Sequence, residues 1–387
     1  MDFRFTPEEE AFREEVAGFV SNELPPDWLG AEEEYTPELW PVTRAISAKL
    51  GQRGWLSQSW PKEYGGQQAP VLTQLVFQEE ANYWGIPGTG MGIGGTAWVA
   101  PCLLMYGTPE QKQEHLPPIA SGERFWCTGY SEPGSGSDLA SLSTRARLEG
   151  NCFIVDGQKV WTSAAHVADW CWLAVRTDPS APQHKGISML LVDMKTPGIT
   201  VRPLINMAGA HSFNEVYFDN VRVPRSGLVG ELNRGWYVVM TALDFERAWP
   251  GVRYASMARR ILDEMLKYAL QVGLKPQHRT RLAQVAVEAA VGRAMSWRVV
   301  DVINHDRVPN FEASEVKVFT TEVVARAIQT GLEVLGLYGQ LAPDSPHARL
   351  QGWLEQIYQI IVGHLIAGGS SEVQRSIIAL RGLGLPR

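Results

Sequence analysis

The spacing of apolar residues changes twice along the chain, and the first change falls near residue 122. Before it, apolar residues recur every three or four positions over 12–20, 39–50 and 72–84. Thr6, Pro7 and Glu9 form the pattern of a helix start with a capping box, in which Thr6 and Glu9 bond each other's backbone N–H groups. A second Thr-Pro pair at 108–109 predicts another helix start. The N-terminal region is therefore predicted to be helical.

Between residues 122 and 232 the pattern is that of strands. Short segments rich in β-branched and aromatic residues are separated by Gly, Asn, Asp and Pro at intervals of about 8–15 residues. The predicted strands are 152–155, 170–176, 187–193, 200–203 and 215–218. Gly150 and Asn151 stand between two alternating runs, where they predict the turn of a β-hairpin. We therefore expect an antiparallel sheet.

Helical spacing returns after residue 232. The predicted helices are 236–248, 252–270, 281–303, 313–337 and 346–366. This order of helices, strands and helices differs from the alternating β-α-β pattern of a Rossmann domain. We predict an α+β chain with a helical domain over 1–121, a β domain over 122–232 and a helical domain over 233–387.

The composition narrows the class of protein. Of the 387 residues, 45% are hydrophobic and 20% are charged, which is typical of globular chains and excludes wholesale disorder. The net charge is −7 and no run of Lys and Arg occurs, so neither a nucleic-acid partner nor a polybasic membrane anchor is expected. The N-terminus is acidic and no apolar run reaches 18 residues, so we expect a cytoplasmic protein. The four cysteines form no C-x-x-C pair and are expected to be free thiols.

Most catalytic and binding signatures are absent from the sequence. It has no H-E-x-x-H, G-x-S-x-G or Walker motif, so hydrolase and metalloenzyme chemistry lose their sequence support. Gly90, Gly92 and Gly95 match G-x-G-x-x-G, but that nucleotide fingerprint needs a preceding strand, and the segment 72–84 has helical spacing. We interpret these glycines as a turn between helices.

Three other segments are suited to binding a flat or anionic ligand. Small residues in 130–138 let backbone amides approach a ligand closely. Trp161 stands beside two hydroxyls after a predicted strand, and Ser and Gly residues open a helix within 368–375. Taken alone, each is better explained as an ordinary feature: a turn, a strand end with a core Trp, and an N-cap with a capping box from Ser371 to Gln374.

In this order and spacing, the three segments resemble the acyl-CoA dehydrogenase family. Further matching pieces extend the resemblance over the whole chain: 54–66, 106–117, 218–224 and 233–236. The resemblance implies an N-terminal helical domain, a central antiparallel β domain and a C-terminal four-helix-bundle domain. It also implies bound FAD, an acyl-CoA substrate of lipid β-oxidation, a trans-2-enoyl-CoA product and electron-transfer flavoprotein as the acceptor.

The reaction of this family needs a base, because the α C–H of a thioester is a weak acid whose proton must go to a carboxylate. Family members carry the base at one of two positions. One directly precedes a Gly-Thr-Ser-like turn; here it is Gly368, which has no side chain but can donate its backbone N–H to the thioester oxygen. The other lies in a Leu-Asp-x-Glu-Arg segment, which 243–247 matches, as in the isovaleryl- and long-chain branch. We assign Glu246 as the base; the alternative is a solvated helix Glu beside Arg247.

The resemblance also implies roles for the remaining site residues. Those expected to contact FAD are Tyr130, Ser131, Gly136, Ser137, Trp161, Thr162, Ser163, Ser370 and Glu372. Those expected to contact the substrate are Ser137, Asp244 and Arg247. Trp161 should pack against the isoalloxazine, and Thr162 or Ser163 should reach its N5. Ser370 and Glu372 should meet the pyrophosphate end of the cofactor.

Two motifs of the family are missing. The Arg-x-x-Phe-Gly motif has no counterpart in 273–281, and Glu333 stands where a Gln-x-x-Gly-Gly motif begins. Both motifs normally reach the FAD of a neighbouring subunit, whose diphosphate a Glu would repel. This chain is expected to form a homotetramer or a heterotetramer with a related subunit, and our hypothesis is that it pairs with a different subunit. The chain resembles the heteromeric bacterial acyl-CoA dehydrogenases, including those that act on steroid side-chain thioesters.

Two other functions stay open at this point. One is a flavin monooxygenase or oxidase on the same fold, against which the Glu at position 246 argues. The other is a non-catalytic subunit of a heteromeric dehydrogenase that binds no FAD, which visible flavin absorbance would decide. Pro250, four residues after Glu246, is predicted to kink the helix that carries the base.

Overall fold

The structure is a computed structural model that describes residues 4–30, 34–89, 95–305 and 307–386, with only the backbone described for 244–248. These residues form two compact units. The helical unit comprises Met1–Glu32, Ala69–Ile86 and Arg247–Arg387, and the sheet unit comprises Glu33–Gln68 and Pro87–Glu246. Gly90 and Gly92 of the glycine motif lie outside the described residues. The bounds of the three domains given above stay predictions.

Both units contain α-helices. In chain order the described residues form α1 (Pro7–Glu23), α2 (Trp40–Gln52), α3 (Val71–Trp84), α4 (Ala100–Tyr106), α5 (Pro109–Ala120), α6 (Gly235–Ala248), α7 (Pro250–Val272), α8 (Pro276–Asn304), α9 (Phe311–Leu335), α10 (Trp353–Ile366) and α11 (Ser371–Ile377). Each segment with helical spacing in the sequence overlaps one of them. Among the helices of these ranges, none has the length and apolar character needed to span a bilayer.

Helices α1 and α5 begin at the Thr-Pro pairs that the sequence predicts as helix starts. Thr6 Oγ1 accepts a hydrogen bond from the Glu9 N–H at 3.2 Å, and Glu9 Oε2 accepts one from the Thr6 N–H at 2.8 Å. Thr108 and Gln111 form the same reciprocal pair at the start of α5. Each pair satisfies donors that a helix start leaves unpaired, so both predicted starts are confirmed.

The core of the helical unit lies among four long helices, α7 to α10. Side chains from all four are buried together: Ile261, Met265, Val285, Val324, Ile328 and Ile357. Burying an aliphatic side chain of this size contributes roughly 1.5–3 kcal/mol. This apolar layer accounts for the predicted C-terminal bundle.

A buried carboxylate joins α1 and α8 to α3. Glu79 on α3 accepts hydrogen bonds from Arg13 at 3.1 Å, from Arg293 at 2.7 and 2.8 Å, and from the Trp297 indole at 2.6 Å. Because a buried charge is stable only when it is paired and hydrogen-bonded, these donors attach the N-terminal helix to the helical unit.

The sheet unit is built on one eight-stranded sheet. Its strands are β1 (Trp126–Gly129), β2 (Arg145–Glu149), β3 (Cys152–Lys159), β4 (Trp170–Arg176), β5 (Ile187–Asp193), β6 (Ile199–Ile205), β7 (His211–Pro224) and β8 (Leu228–Val229). The order across the sheet is β6-β7-β3-β2-β4-β5-β8, and β1 pairs with β4. All five predicted strand segments are confirmed. β1, β2 and β8 are not among those five segments, although the hairpin predicted at Gly150 requires a strand before it, which is the largely exposed β2. β8 spans only two residues.

The sheet is mainly antiparallel, as expected, and it also contains parallel pairs. Most neighbouring strands are antiparallel, and Gly150, at φ +61°, with Asn151 forms the predicted turn between β2 and β3. β4, however, runs parallel to both β1 and β2. The chain leaves β3 and crosses over residues 160–169 to the far side of β2, so β4 takes the direction of β2. Side-chain periodicity reports that a segment is a strand but not which way its neighbour runs.

The helix that carries Glu246 ends soon after it. α6 ends at Ala248 and α7 begins at Pro250, with Trp249 between them. Proline suits a first helical turn but has no N–H with which to continue a preceding helix. The interruption predicted at Pro250 is therefore present.

The four cysteines are free thiols, as expected. Burial raises the pKa of Cys102 to about 12, which makes it a poor nucleophile. In the part of the chain that the structure describes, no cluster of His, Cys, Asp and Glu could hold a metal ion.

Candidate active site

The turn after β3 exposes a large aromatic ring on a strained backbone. We call residues 161–163 the Trp161 turn. Trp161 has φ +59°, a left-handed conformation that is unfavourable for a bulky residue, and the residue is 61% exposed. The ring of Phe213 lies edge-on to the indole at 5.8 Å. An indole held in this way presents an apolar face to a flat ligand.

Thr162 adds a buried hydroxyl to the turn. The residue is 1% exposed, and its Oγ1 has no hydrogen-bond partner among the described residues. A buried hydroxyl left unpaired costs about 1–3 kcal/mol, which a ligand atom at this place would recover. The exposed indole and the unpaired hydroxyl together fit a planar ring that carries hydrogen-bonding atoms.

A second loop lies beside the Trp161 turn in the sheet unit. The Val160 N–H donates to the Ser131 carbonyl at 2.9 Å, and the Tyr130 hydroxyl accepts from the Trp172 indole at 2.9 Å. The structure thus brings the Tyr130–Ser131 segment next to the start of the turn. Gly136 and Ser137, further along the same loop, are exposed.

A buried ion pair between Lys159 on β3 and Glu132 attaches this loop to the sheet, and the sequence pattern did not predict it. Lys159 is 0% exposed, and its Nζ donates to Glu132 Oε1 at 2.8 Å and to the Tyr130 carbonyl at 3.0 Å. Glu132 also accepts from the Ser143 N–H and hydroxyl, both at 2.7 Å, and from the Thr144 N–H at 2.8 Å. The sequence signals were a Lys at the end of a buried strand and a Glu inside the 130–138 segment.

The charges of this pair depend on each other. Burial acts to raise the pKa of Glu132, but the Lys159 ammonium and the hydrogen bonds from Thr144 and Ser143 hold that pKa at about 2. Burial lowers the pKa of Lys159, and the Glu132 carboxylate opposes this shift. The Glu132 carboxylate is therefore charged at neutral pH, and its charge favours the protonated form of Lys159.

In the helical unit, the segment between α10 and α11 holds the other predicted binding residues. Gly368 and Gly369 have φ values of +65° and +87°, which favour glycine. The predicted N-cap at Ser371 is wrong by one residue. Ser370 is the N-cap, and its Oγ accepts from the Val373 N–H at 3.4 Å. The expected partner Gln374 instead donates its side-chain amide to the Gly368 carbonyl at 2.9 Å, because the glycine backbone turns that carbonyl toward the helix.

Nearby cationic side chains and the backbone at the start of α11 determine the electrostatics of the segment between α10 and α11. Lys317 on α9 donates to the carbonyls of His364 and Leu365 at 3.2 and 3.4 Å, which caps the end of α10. Burial, followed by the charges of Arg253 and Lys317, lowers the pKa of His364 to about 3, so its ring is neutral. The backbone at the start of α11 lowers the pKa of Glu372. Lys317 and His364 were missed, although a Lys at a buried position of a helix is a signal.

The predicted base lies on the last turn of α6. The backbone of Asp244, Glu246 and Arg247 is helical, and their side chains lie outside the described part of the chain. Leu243, one position earlier, packs against the apolar core of the sheet unit. The roles of these three residues stay predictions.

Glu333 stands where the family's Gln-x-x-Gly-Gly motif would begin, and its carboxylate has a partner. It forms an exposed ion pair with Arg281, which joins α9 to α8. Glu288 and Arg326 form a second pair between the same helices at 2.8 Å. This surface of the helical unit is therefore built of paired charges.

Comparisons with known proteins come from family models and from single proteins. The models for the acyl-CoA dehydrogenase N-terminal, middle and C-terminal domains match residues 6–123, 127–221 and 233–383. Acyl-CoA dehydrogenase FadE26 of Mycobacterium tuberculosis is 37% identical over 100% of this chain and 99% of its own length.

Two solved structures are similar over their whole length. The Tcur3481-Tcur3483 steroid ACAD has a TM-score of 0.93 and 35% identity, with 100% of both chains covered. The ChsE4-ChsE5 complex from Mycobacterium tuberculosis has a TM-score of 0.88 and 36% identity, again over 100% of both chains.

Proposed function

Because this chain belongs to the acyl-CoA dehydrogenase family, it is an FAD-dependent oxidoreductase acting on CH–CH bonds, and we propose that it forms trans-2-enoyl-CoA with Glu246 as base. The observation that carries the proposal is which residues occupy the two positions where family members carry the base. Position 368 holds a glycine at φ +65°, whereas position 246 holds a carboxylate on a helix. A base at 368 would need both a new side chain and a strained backbone.

The sheet unit has the features that a flavin ring needs. Trp161 offers an exposed indole face, and Thr162 offers a buried hydroxyl that no described residue pairs with. We propose that the ring lies beside them and the Tyr130–Ser131 segment. Ser163, Gly136 and Ser137 complete this half of the proposed FAD site. When bound, FAD supplies the acceptor for the β hydrogen, which leaves the substrate as hydride. Ser370 and Glu372 are proposed for the pyrophosphate end.

Residues of this chain are proposed to take up the α proton and to bind the thioester. The Glu246 carboxylate takes the α proton, so one C–C double bond forms as the α and β C–H bonds break. The backbone N–H of Gly368 donates to the thioester oxygen, where negative charge develops as the proton leaves. Asp244, Arg247 and Ser137 are proposed to hold the CoA and acyl parts of the substrate.

We further propose that the working enzyme pairs this chain with a different subunit. The absence of Arg-x-x-Phe-Gly and the Glu at 333 support this, as does the similarity to structures whose names join two proteins. The chain purified alone is expected to lack a full complement of FAD and to be inactive. The reason is that it lacks the arginine and glutamine motifs with which a neighbouring subunit normally contacts the FAD diphosphate. Size-exclusion chromatography with visible absorbance checks this. A flavin-replete, active homotetramer would rule out obligate pairing.

The acyl group is proposed to be bulky, of the steroid side-chain type. Support comes from the full-length similarity to a protein named a steroid ACAD. Turnover is expected to be highest with a steroid side-chain CoA thioester and low with butyryl-CoA and palmitoyl-CoA. The measurement is a panel of these thioesters with ferrocenium as electron acceptor, repeated with electron-transfer flavoprotein. A preference for straight chains would remove the steroid assignment and leave the dehydrogenase assignment standing.

A further inference from the structure

A buried asparagine clamps the Trp161 turn. Asn214 on β7 is 0% exposed, and its backbone carbonyl accepts from the Thr162 N–H at 3.1 Å. Its side-chain Nδ2 donates to the Thr162 carbonyl at 3.0 Å. Both backbone groups of Thr162 are therefore occupied by one residue. The Thr162 hydroxyl, which has no partner in the described ranges, is the polar group of that residue left for a ligand.

Two stacked imidazoles orient the Asn214 amide. The rings of His166 and His211 lie 3.8 Å apart with an angle of 18° between them. His211 Nε2 lies 2.7 Å from Asn214 Oδ1, and His166 Nδ1 lies 3.2 Å from Asn214 Nδ2. His166 Nε2 lies 3.2 Å from the Tyr35 carbonyl. The amide is thus held on both sides while it bonds the turn.

The donor and acceptor roles in this network are mutually consistent. Since Asn214 Nδ2 is a donor, His166 Nδ1 must accept, and His166 then carries its hydrogen on Nε2, which donates to the Tyr35 carbonyl. Since Asn214 Oδ1 is an acceptor, His211 Nε2 must donate. Burial lowers the pKa of His166, against the opposing effect of the hydrogen bonds to the Tyr35 carbonyl and Asn214, and the neighbouring His211 adds to the lowering. The lowered pKa favours the neutral ring. A flipped amide would lose the bond to the Thr162 carbonyl.

We propose that Asn214, oriented by His166 and His211, is a positioning residue that holds the Trp161 indole and the Thr162 hydroxyl in place for the flavin ring. The proposal rests on the proposed function, which puts the ring at this turn. The left-handed backbone at Trp161 supports it, because a strained conformation persists only where its surroundings hold it. The two hydrogen bonds between Asn214 on β7 and Thr162, the residue after Trp161, supply that restraint.

The test replaces Asn214 by Ala in the enzyme assembled with its partner subunit. Asn214→Ala is expected to lower kcat by about 10- to 100-fold, because small displacements of aligned groups have effects of that size. The acyl-CoA KM should change little. The flavin absorption band should broaden, and FAD should be lost more readily on gel filtration. Ser212→Ala is the matched control, since it removes another buried polar group from β7 and leaves the bonds between Asn214 and Thr162 in place.

The outcomes separate this proposal from the function on which it rests. A wild-type assembly without flavin absorbance or dehydrogenase turnover would remove the proposed function itself. An active wild type together with an Asn214→Ala variant of unchanged spectrum, FAD retention and kcat would overturn the positioning role alone. If Asn214→Ala does not fold, His211→Phe decides, since it keeps a ring stacked on His166 and removes the donor to Asn214. We expect a smaller shift in the same direction from His211→Phe, and no shift would overturn the proposal.

Discussion

Glu246→Gln is expected to lower kcat by about a thousandfold, within the range that removal of a general base produces. Glutamine keeps the shape of the side chain but cannot take up the α proton. FAD content and the KM for the acyl-CoA should be nearly unchanged, because the loss falls on the proton-transfer step. The measurement is steady-state turnover with ferrocenium, together with the flavin absorbance of the purified enzyme.

A second measurement isolates the proton step. In D₂O, the wild-type enzyme should exchange the α hydrogen of a substrate analogue that cannot lose its β hydrogen, and Glu246→Gln should not. Glu231→Gln is the control, since that side chain is 80% exposed and lies shortly before α6 on the surface of the sheet unit. Near-native turnover of Glu246→Gln would show that the base lies elsewhere.

Lys159→Met is expected to lower the free energy of unfolding by about 3–5 kcal/mol, because it leaves the buried Glu132 carboxylate without its cation. The hydrogen bonds from Ser143 and Thr144 remain, but they do not neutralise the charge. Urea unfolding followed by circular dichroism and tryptophan fluorescence measures the change. The Lys159→Met/Glu132→Gln double variant should recover more than half of it, since the double change removes both charges.

The matched control is an exposed ion pair of the same sheet. Arg147 on β2 lies 3.7 Å from Glu149 and 3.6 Å from Asp156, and its side chain is 61% exposed. Arg147→Met should therefore change the free energy of unfolding by less than about 1 kcal/mol. An equal loss in Arg147→Met and Lys159→Met would show that the buried pair does not stabilise the sheet unit.

The pH dependence of stability gives a further readout of the same pair. Folding lowers the pKa of Glu132 from 4.5 to about 2, so its stabilising contribution is complete above pH 4.5 and is lost as the pH falls toward 2. In Glu132→Gln this part of the acid dependence should disappear. An unchanged acid dependence in Glu132→Gln would contradict the shifted pKa.

Local features of the fold could be predicted because neighbouring residues determine them. The capping boxes at Thr6 and Thr108, the hairpin at Gly150 and the helix break at Pro250 each depend on a few consecutive residues. The direction of β4 could not be predicted, since it depends on which side of β2 the crossing segment 160–169 takes. The N-cap at Ser370 was misplaced because two serines in a row give equal signals.

The candidate site divides in the same way. By itself the sequence determined the family, the presence of a Glu at 246 and a Gly at 368, and the loss of two motifs, because residue identity at matched positions is a property of the chain alone. Only the tertiary structure decided that Lys159 meets Glu132 and that Asn214 binds both backbone groups of Thr162. Those contacts join residues 27 and 52 positions apart, and pairing over such separations follows from strand register and packing, which no local pattern encodes.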